Sequence, residues 1–257
     1  MLQRHWKKIV IGVVALAVLV VGGSFIYAKL FNQADPAFGQ TDVIDKLNQT
    51  TTTVAAETTV PGTDASTPQS TTGATDAPTT TAAAGVDGTW NLAADSEVGY
   101  RVKESINGFD TTANGRTNAV TGSFVIAGTK ATEGSWTVDM TTFKSDESRR
   151  DNQFNTRIMT VDQFPTSTFV LTSPIDFGSV PADGQTITAK ATGDLTLRGT
   201  TKSVTFDLQA TFQNGRVGVL GQIPIVFADY GIPNPSFATI TTEDNGLLEF
   251  VLIFDKA

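Results

Sequence analysis

The chain contains no cysteine and a single histidine, His5. Without cysteine there are no disulfides and no thiolate metal sites, so any folded part must be stable through its core alone. His5 precedes a long apolar run, and every residue beyond that run lacks an imidazole. Ser-His and Cys-His nucleophilic catalysis, histidine acid–base chemistry and ordinary zinc ligation are thereby excluded from the bulk of the chain. Tryptophan and tyrosine are scarce, at three each. Basic charge is short as well: from Gly88 onward 13 Lys and Arg stand against 19 Asp and Glu, a net of −6. That balance argues against nucleic acid as a partner.

Carboxylate chemistry survives these absences. Asp139, Asp146, Asp151, Asp162, Asp194 and Asp229 could pair in principle, but isolated acids at strand ends and turns are ordinarily solvated. No residue is singled out as catalytic, no metal or cofactor is called for, and the chain is expected not to be an enzyme. The run Gly193-Asp194-Leu195-Thr196-Leu197-Arg198-Gly199 does not have the glycine spacing of a phosphate loop, and it reads as a strand leading into a tight turn. Arg149, Arg150 and Asp151 allow two readings. One is a guanidinium fork offered to an anion; the other, preferred here, is an Arg150–Asp151 pair that fixes a loop.

What is present begins with Ile9 to Tyr27, nineteen nearly unbroken apolar or small residues. As a helix they would cover roughly 28 Å, close to the hydrocarbon thickness of a bilayer. Arg4, Lys7 and Lys8 precede the run and only Lys29 follows it closely, which keeps the N-terminus cytoplasmic. A cleaved signal peptide would need a shorter stretch and a small-x-small site. Ile26-Tyr27-Ala28 fits that site poorly. The expectation is an uncleaved, single-pass cell-membrane anchor (residues 1–32), with everything after it extracytoplasmic.

Residues 33–87 are dominated by Thr, Ala, Pro and Gly, with runs such as Thr50-Thr51-Thr52-Thr53. Such a stretch buries too little apolar surface to offset its ordering entropy and is expected to be a disordered linker. A coil of that length has an end-to-end distance of roughly 40 Å and a maximum reach of roughly 180 Å, enough to act as a tether. Its composition also resembles an O-glycosylated stalk, and Asn48-Gln49-Thr50 matches an N-glycosylation sequon. Val43 to Leu47 allow a helical turn, too short to assign.

From Trp90 the pattern becomes short runs of period two, bounded by Gly, Asn, Asp and Pro. Val98, Tyr100 and Val102 make one run, Phe124 and Ile126 another, and Trp136, Val138 and Met140 a third. Phe169 and Leu171, Ile187 and Ala189, and Leu195 and Leu197 continue the pattern. Val204, Phe206 and Leu208 follow, then Ile223, Ile225 and Phe227, and finally Leu248 to Phe254. Turn signals lie at Ala182-Asp183-Gly184, Asn214-Gly215 and Asp244-Asn245-Gly246. Eight or nine strands result. They predict an all-β domain over 88–257, an antiparallel barrel or alternatively a two-sheet sandwich. The stretch from Asp146 to Phe164 breaks the alternation and is expected to lie over one barrel end as a helical turn or loop.

Phenylalanine is abundant, at 16 residues, most of them after Gly108. It has no polar handle, so the interior should be large and dry. Eight strands is the size at which a barrel is either filled by side chains or left with a ligand cavity. The residues leave that choice open.

Two stretches resemble the YceI family. One is Arg149-Arg150-Asp151-Asn152-Gln153-Phe154 continuing to Gln163-Phe164-Pro165-Thr166-Ser167-Thr168-Phe169. The other is Gly193 to Thr201 continuing to Val204. Trp90 to Val102 and Val120 to Phe124 fit the opening strands, so the resemblance covers 88–257. It implies an extended, eight-stranded lipocalin-like barrel whose tunnel holds a polyisoprenoid or other amphiphilic, fatty-acid-like lipid, with no established reaction. Candidate tunnel-lining or head-group residues are Tyr100, Phe124, Met140, Phe143, Arg150, Phe154, Phe164, Phe169, Arg198, Phe206 and Phe227. Where family members often carry histidines, this sequence has Asp95-Ser96 and Arg198, which places any histidine-based grip on a head group in doubt. A ligand-free interaction or adhesion module with a filled core is the alternative. Oligomeric state is not readable from the sequence.

Overall fold

Period-two alternation turns one side of each strand inward, and a long sheet with one apolar face avoids open edges by closing. The computed structural model describes residues 34–49 and 85–257. The apolar run 9–27 and most of the Thr-rich stretch lie outside the described residues. Among the described residues no helix is long and apolar enough to cross a membrane.

The strands are β1 (Gly88–Leu92), β2 (Glu97–Ile106), β3 (Phe109–Thr117), β4 (Val120–Ala127), β5 (Lys130–Asp139), β6 (Thr166–Ser173), β7 (Ile175–Asp176), β8 (Thr186–Leu197), β9 (Thr200–Gln213), β10 (Arg216–Val226), β11 (Ile240–Thr242) and β12 (Asn245–Lys256). All pairings are antiparallel, and the order β1-β4-β5-β6-β8-β9-β10-β12 closes when Leu92 of β1 pairs with Phe254 of β12. This is an eight-stranded barrel rather than a sandwich. The twelve segments form eight staves: β1 and β2 lie along one edge of β12, β3 runs on into β4, and β11 precedes β12 along β2. Where β1 breaks before β2, the Ser96 hydroxyl accepts from the Ile253 N–H (2.9 Å) and donates to the Ile253 carbonyl (3.1 Å). A buried backbone gap is thereby satisfied.

The upper end of the barrel carries the β2–β3 turn at Asn107-Gly108 and the β8–β9 turn at Arg198-Gly199; the lower end carries the β9–β10 turn at Asn214-Gly215. Two sequence readings change here. Ile187 to Leu197 are one strand, because the inward positions in its middle are the small residues Ala191 and Gly193. Gly193 is required: a Cβ there would sit 2.3 Å from the Phe169 ring. Asp244-Asn245-Gly246 marks a break within one stave and not a hairpin, since β11 and β12 both pair with β2.

The helix α1 (Gln40–Asn48) lies in the stretch expected to be disordered. It packs Val43 and Leu47, with Phe38 before it, against Val251 and Ile253 on the outside of the barrel. Burying three such side chains contributes roughly 5 kcal/mol. The seat is Gly218, where a Cβ would meet Val43 at 2.5 Å and Leu47 at 2.9 Å. Polar contacts hold the ends: Asn214 Nδ2 donates to the Leu47 carbonyl (3.2 Å), and Lys46 Nζ donates to the Asp95 carbonyl (2.8 Å). Residues 35–48 are therefore a strap on the barrel and not part of one continuous coil.

Ahead of α1 the strap crosses a charged cluster. Glu249, whose side chain is 0% exposed, meets Arg101 and Arg116, each at 3.1 Å. Arg101 Nη2 donates to the Asp35 carbonyl (2.7 Å), Asn114 Oδ1 accepts from the Asp35 N–H (3.1 Å), and Arg116 lies over the Phe38 ring at 3.8 Å. Glu249 is an outward-pointing residue that the strap turns into a buried one. Gly218→Val is expected to unseat α1 and make the strap cleavable by protease, with the barrel still folded by circular dichroism; protease resistance equal to the parent chain would contradict this packing.

Candidate functional site

Inward side chains along the staves leave two adjoining cavities, so the core is not filled. The lower one has a volume of about 210 Å³ and is lined almost wholly by apolar side chains, including Phe124, Trp136, Phe169, Leu195, Phe206 and Phe250. Its aromatic rings interlock: Phe169 and Phe206 meet edge to face at 5.6 Å, as do Phe206 and Phe250 at 5.9 Å. Below it Trp90, 1% exposed, packs with Phe124 and Phe212 and donates its indole N–H to the Val86 carbonyl (2.8 Å). Trp136 differs, since its buried indole N–H has no hydrogen-bond partner among the described residues.

The upper cavity, about 510 Å³, shares Met140, Phe143, Leu197 and Leu248 with the lower one and so adjoins it. One wall is the inner face of β2 and β12, with Tyr100, Val102 and Leu248. The facing wall is the segment that breaks the strand alternation, now seen as the short helix α2 (Ser148–Gln153) running into a π-helical turn, Phe154–Ile158. As expected, this segment covers one end of the barrel. Tyr100 stacks on Phe154 at 5.0 Å and lies 5.9 Å from Phe143. The chamber reaches the upper rim, where exposed Arg149 and Phe237 line it.

Apart from Glu249, which borders the lower chamber but turns its carboxylate outward to Arg101 and Arg116, charge enters only in the upper chamber. Arg150 pairs with Glu104 (3.4 Å) and with Asp146, while Arg149 and Glu147 lie on the same lining. The expected Arg150–Asp151 pair does not form. Asp151 accepts instead from the Ser145 N–H (2.8 Å) and hydroxyl (2.7 Å), which fixes the start of α2 and leaves Arg150 directed at Glu104 and Asp146.

Of the eleven candidates, Phe124, Phe169 and Phe206 line the lower chamber, Tyr100, Arg150, Phe154 and Phe227 the upper, and Met140 and Phe143 both. Phe164 and Arg198 line neither. Phe164 packs on Gly199, where a Cβ would lie 2.6 Å from its ring, and Arg198 is spent on the Thr160 hydroxyl (3.2 Å) and the Gly231 carbonyl. Both are corrected to rim-building residues. Asp95 and Ser96 also lie away from the tunnel, on the outer wall with Arg216 (3.1 Å) and Ile253. Sequence reasoning placed Trp136 on an alternating run but did not single it out as a site residue, and it missed Glu104, whose rim position is visible only once register is known. Among the described residues no cluster of three or more metal-ligating side chains occurs.

Burial raises the Tyr100 phenol well above the ordinary value of 10.0, and nearby Arg150 only partly offsets this. The unfolded chain ionises this phenol above pH 10 while the folded chain does not, so stability should fall as pH rises beyond about 10. Tyr100→Phe should make that fall shallower, measured by urea unfolding at pH 9 and 11. An unchanged pH dependence would contradict burial of this phenol.

The YceI-like domain profile matches residues 90–254. The chain belongs to the YceI-like family. Two solved structures share the barrel. One is a polyisoprenoid binding domain from Saccharophagus degradans implicated in plant cell wall breakdown, 17% identical, covering 65% of this chain and 98% of that one, with a TM-score of 0.54. The other is BcnA from Burkholderia cenocepacia, 19% identical, covering 63% and 98%, with a TM-score of 0.50. No curated protein matches this chain. The YceI-like barrel thus spans 90–254, and the strap lies outside it.

Proposed function

We propose that this YceI-like protein sequesters or carries an amphiphilic lipid of the isoprenoid type, its tail in the two-chamber tunnel and its polar end in the upper chamber. The observation that carries the reading is the polarity gradient across two adjoining cavities: mostly apolar side chains below, Tyr100, Glu104, Arg149 and Arg150 above. A dry cavity of about 150 Å³ accepts one benzene ring in another protein. By that scale the two chambers hold roughly four isoprene units, at about 0.8 kcal/mol per buried methylene. Binding, not catalysis, is the role that such a lining favours. The polyisoprenoid-binding relative supports the ligand class.

The apolar run Ile9 to Tyr27, with its basic N-terminal flank, supports a single-pass anchor that keeps the barrel on the extracytoplasmic side of the cell membrane. The anchor places a carrier beside the source of its ligand. The net acidic charge of the domain disfavours nucleic acid as a partner.

Trp136 provides the test. A lipid brominated along its chain should quench the tryptophan emission of the full chain in detergent, and Trp136→Phe should remove most of the quenching. Quenching that is absent, or unaffected by Trp136→Phe, would overturn tail insertion into the lower chamber.

A further inference from the structure

The strap sets which end of the barrel lies nearer the apolar run. Its first described contacts, Asp35 with Arg101 and Asn114, lie on the outer wall of β2 and β3, opposite the upper chamber. From Ala34 back to Tyr27, the end of the apolar run, is seven peptide links, which reach at most about 25 Å. Along β2 the upper rim is five residues beyond Arg101, about 17 Å; along β12 the lower end is nine residues beyond Leu247, the partner of Arg101, about 30 Å. Strands in a closed barrel tilt by about 35–45°, so these lengths become about 13 Å and about 23 Å of height, and the upper rim is the nearer end.

That rim carries an apolar tip. Phe237 is 63% exposed, held by reciprocal backbone bonds with Ile240 (3.0 and 2.9 Å) around Ala238 at φ +53°. It stands on the lining of the upper chamber beside Pro235 and Ile240. A singly exposed apolar side chain is ordinary on a protein surface; what sets Phe237 apart is its place at the cavity mouth, where an aromatic ring can enter a lipid interface. The geometry points to a docking surface for the lipid bilayer: the strap holds the upper rim against the membrane, Phe237 enters the interfacial layer, and the tunnel mouth opens onto it. A lipid then passes between membrane and tunnel without crossing water. This rests on the anchored reading above.

The absence of cysteine makes the test clean. In the full chain reconstituted into phosphatidylcholine–phosphatidylglycerol vesicles, Phe237→Cys and, as a lower-end reference, Val180→Cys each carry one fluorophore. Iodide is expected to quench the label at 237 at least fivefold less than the label at 180. Adding Val43→Asp and Leu47→Asp, which release the strap, should restore quenching at 237 with the barrel still folded; this also separates shielding by the bilayer from shielding by the chamber. Equal quenching at both positions in vesicle-bound protein overturns the docking surface while leaving the anchor intact. Shielding that persists after strap release overturns the strap's part in it. Protein that fails to float with the vesicles overturns the anchor and the docking surface together.

Discussion

Ala189→Trp is expected to abolish lipid uptake while leaving the barrel folded and at least as stable. Ala189 is buried at the lower chamber, whose volume of about 210 Å³ is comparable with what an indole side chain would add. Filling open apolar space commonly stabilises by about 1 kcal/mol, whereas overpacking a full core costs about 1–3 kcal/mol. Excluding some five tail methylenes at about 0.8 kcal/mol each removes about 4 kcal/mol of binding, close to a thousandfold in affinity. Opposite signs for stability and binding identify the chamber as open space used by the ligand. Equilibrium binding of a radiolabelled polyprenyl phosphate and urea unfolding of the same variant give the two numbers. Unchanged affinity with increased stability would mean that the tail stays in the upper chamber.

Glu249→Gln is expected to destabilise the chain by about 3 kcal/mol, although it changes one atom. The carboxylate is fully buried between Arg101 and Arg116, and removing it leaves two guanidinium groups facing each other without their counter-charge. Breaking a buried ion pair by removing one partner typically costs about 3–5 kcal/mol, and the lower figure applies because both arginines keep some solvent contact. The loss should include the strap, since Arg101 and Arg116 also bind the Asp35 and Pro36 carbonyls. Urea unfolding together with limited proteolysis near residue 40 checks both parts. A change under about 1 kcal/mol with an intact strap would show that the cluster is solvated.

Most of the barrel was legible because period-two alternation survives on one face of every long stave, and because Phe marks the inward side. The closed ring and the inward placement of Tyr100, Phe124, Met140, Phe169, Phe206 and Phe227 followed from that register, whereas Phe143, Arg150 and Phe154 lie off the alternating runs. What was not legible depends on a second surface. α1 is nine residues long, below the length at which a helix is stable alone, and it lies beside Thr-rich low-complexity sequence. Its formation depends on Gly218 and the Val251–Ile253 face, far away in the chain. Glu249 holds an outward position on β12, and nothing in its local sequence marks it as covered by the strap. Phe164 lies within one family-like motif and Arg198 stands where the other often has a histidine, yet both sit at a turn where the Phe164 ring packs on Gly199. Their sequence context alone does not distinguish a rim from a lining.

The central claim, one amphiphilic lipid held in the barrel, is tested most directly by native mass spectrometry of the full chain released gently from membranes. The expected spectrum shows the polypeptide plus a single isoprenoid-type or fatty-acid-like lipid, with that extra mass lost in Ala189→Trp. A polypeptide that flies bare from membranes, and stays bare after incubation with a polyprenyl phosphate, would contradict the lipid-carrier account.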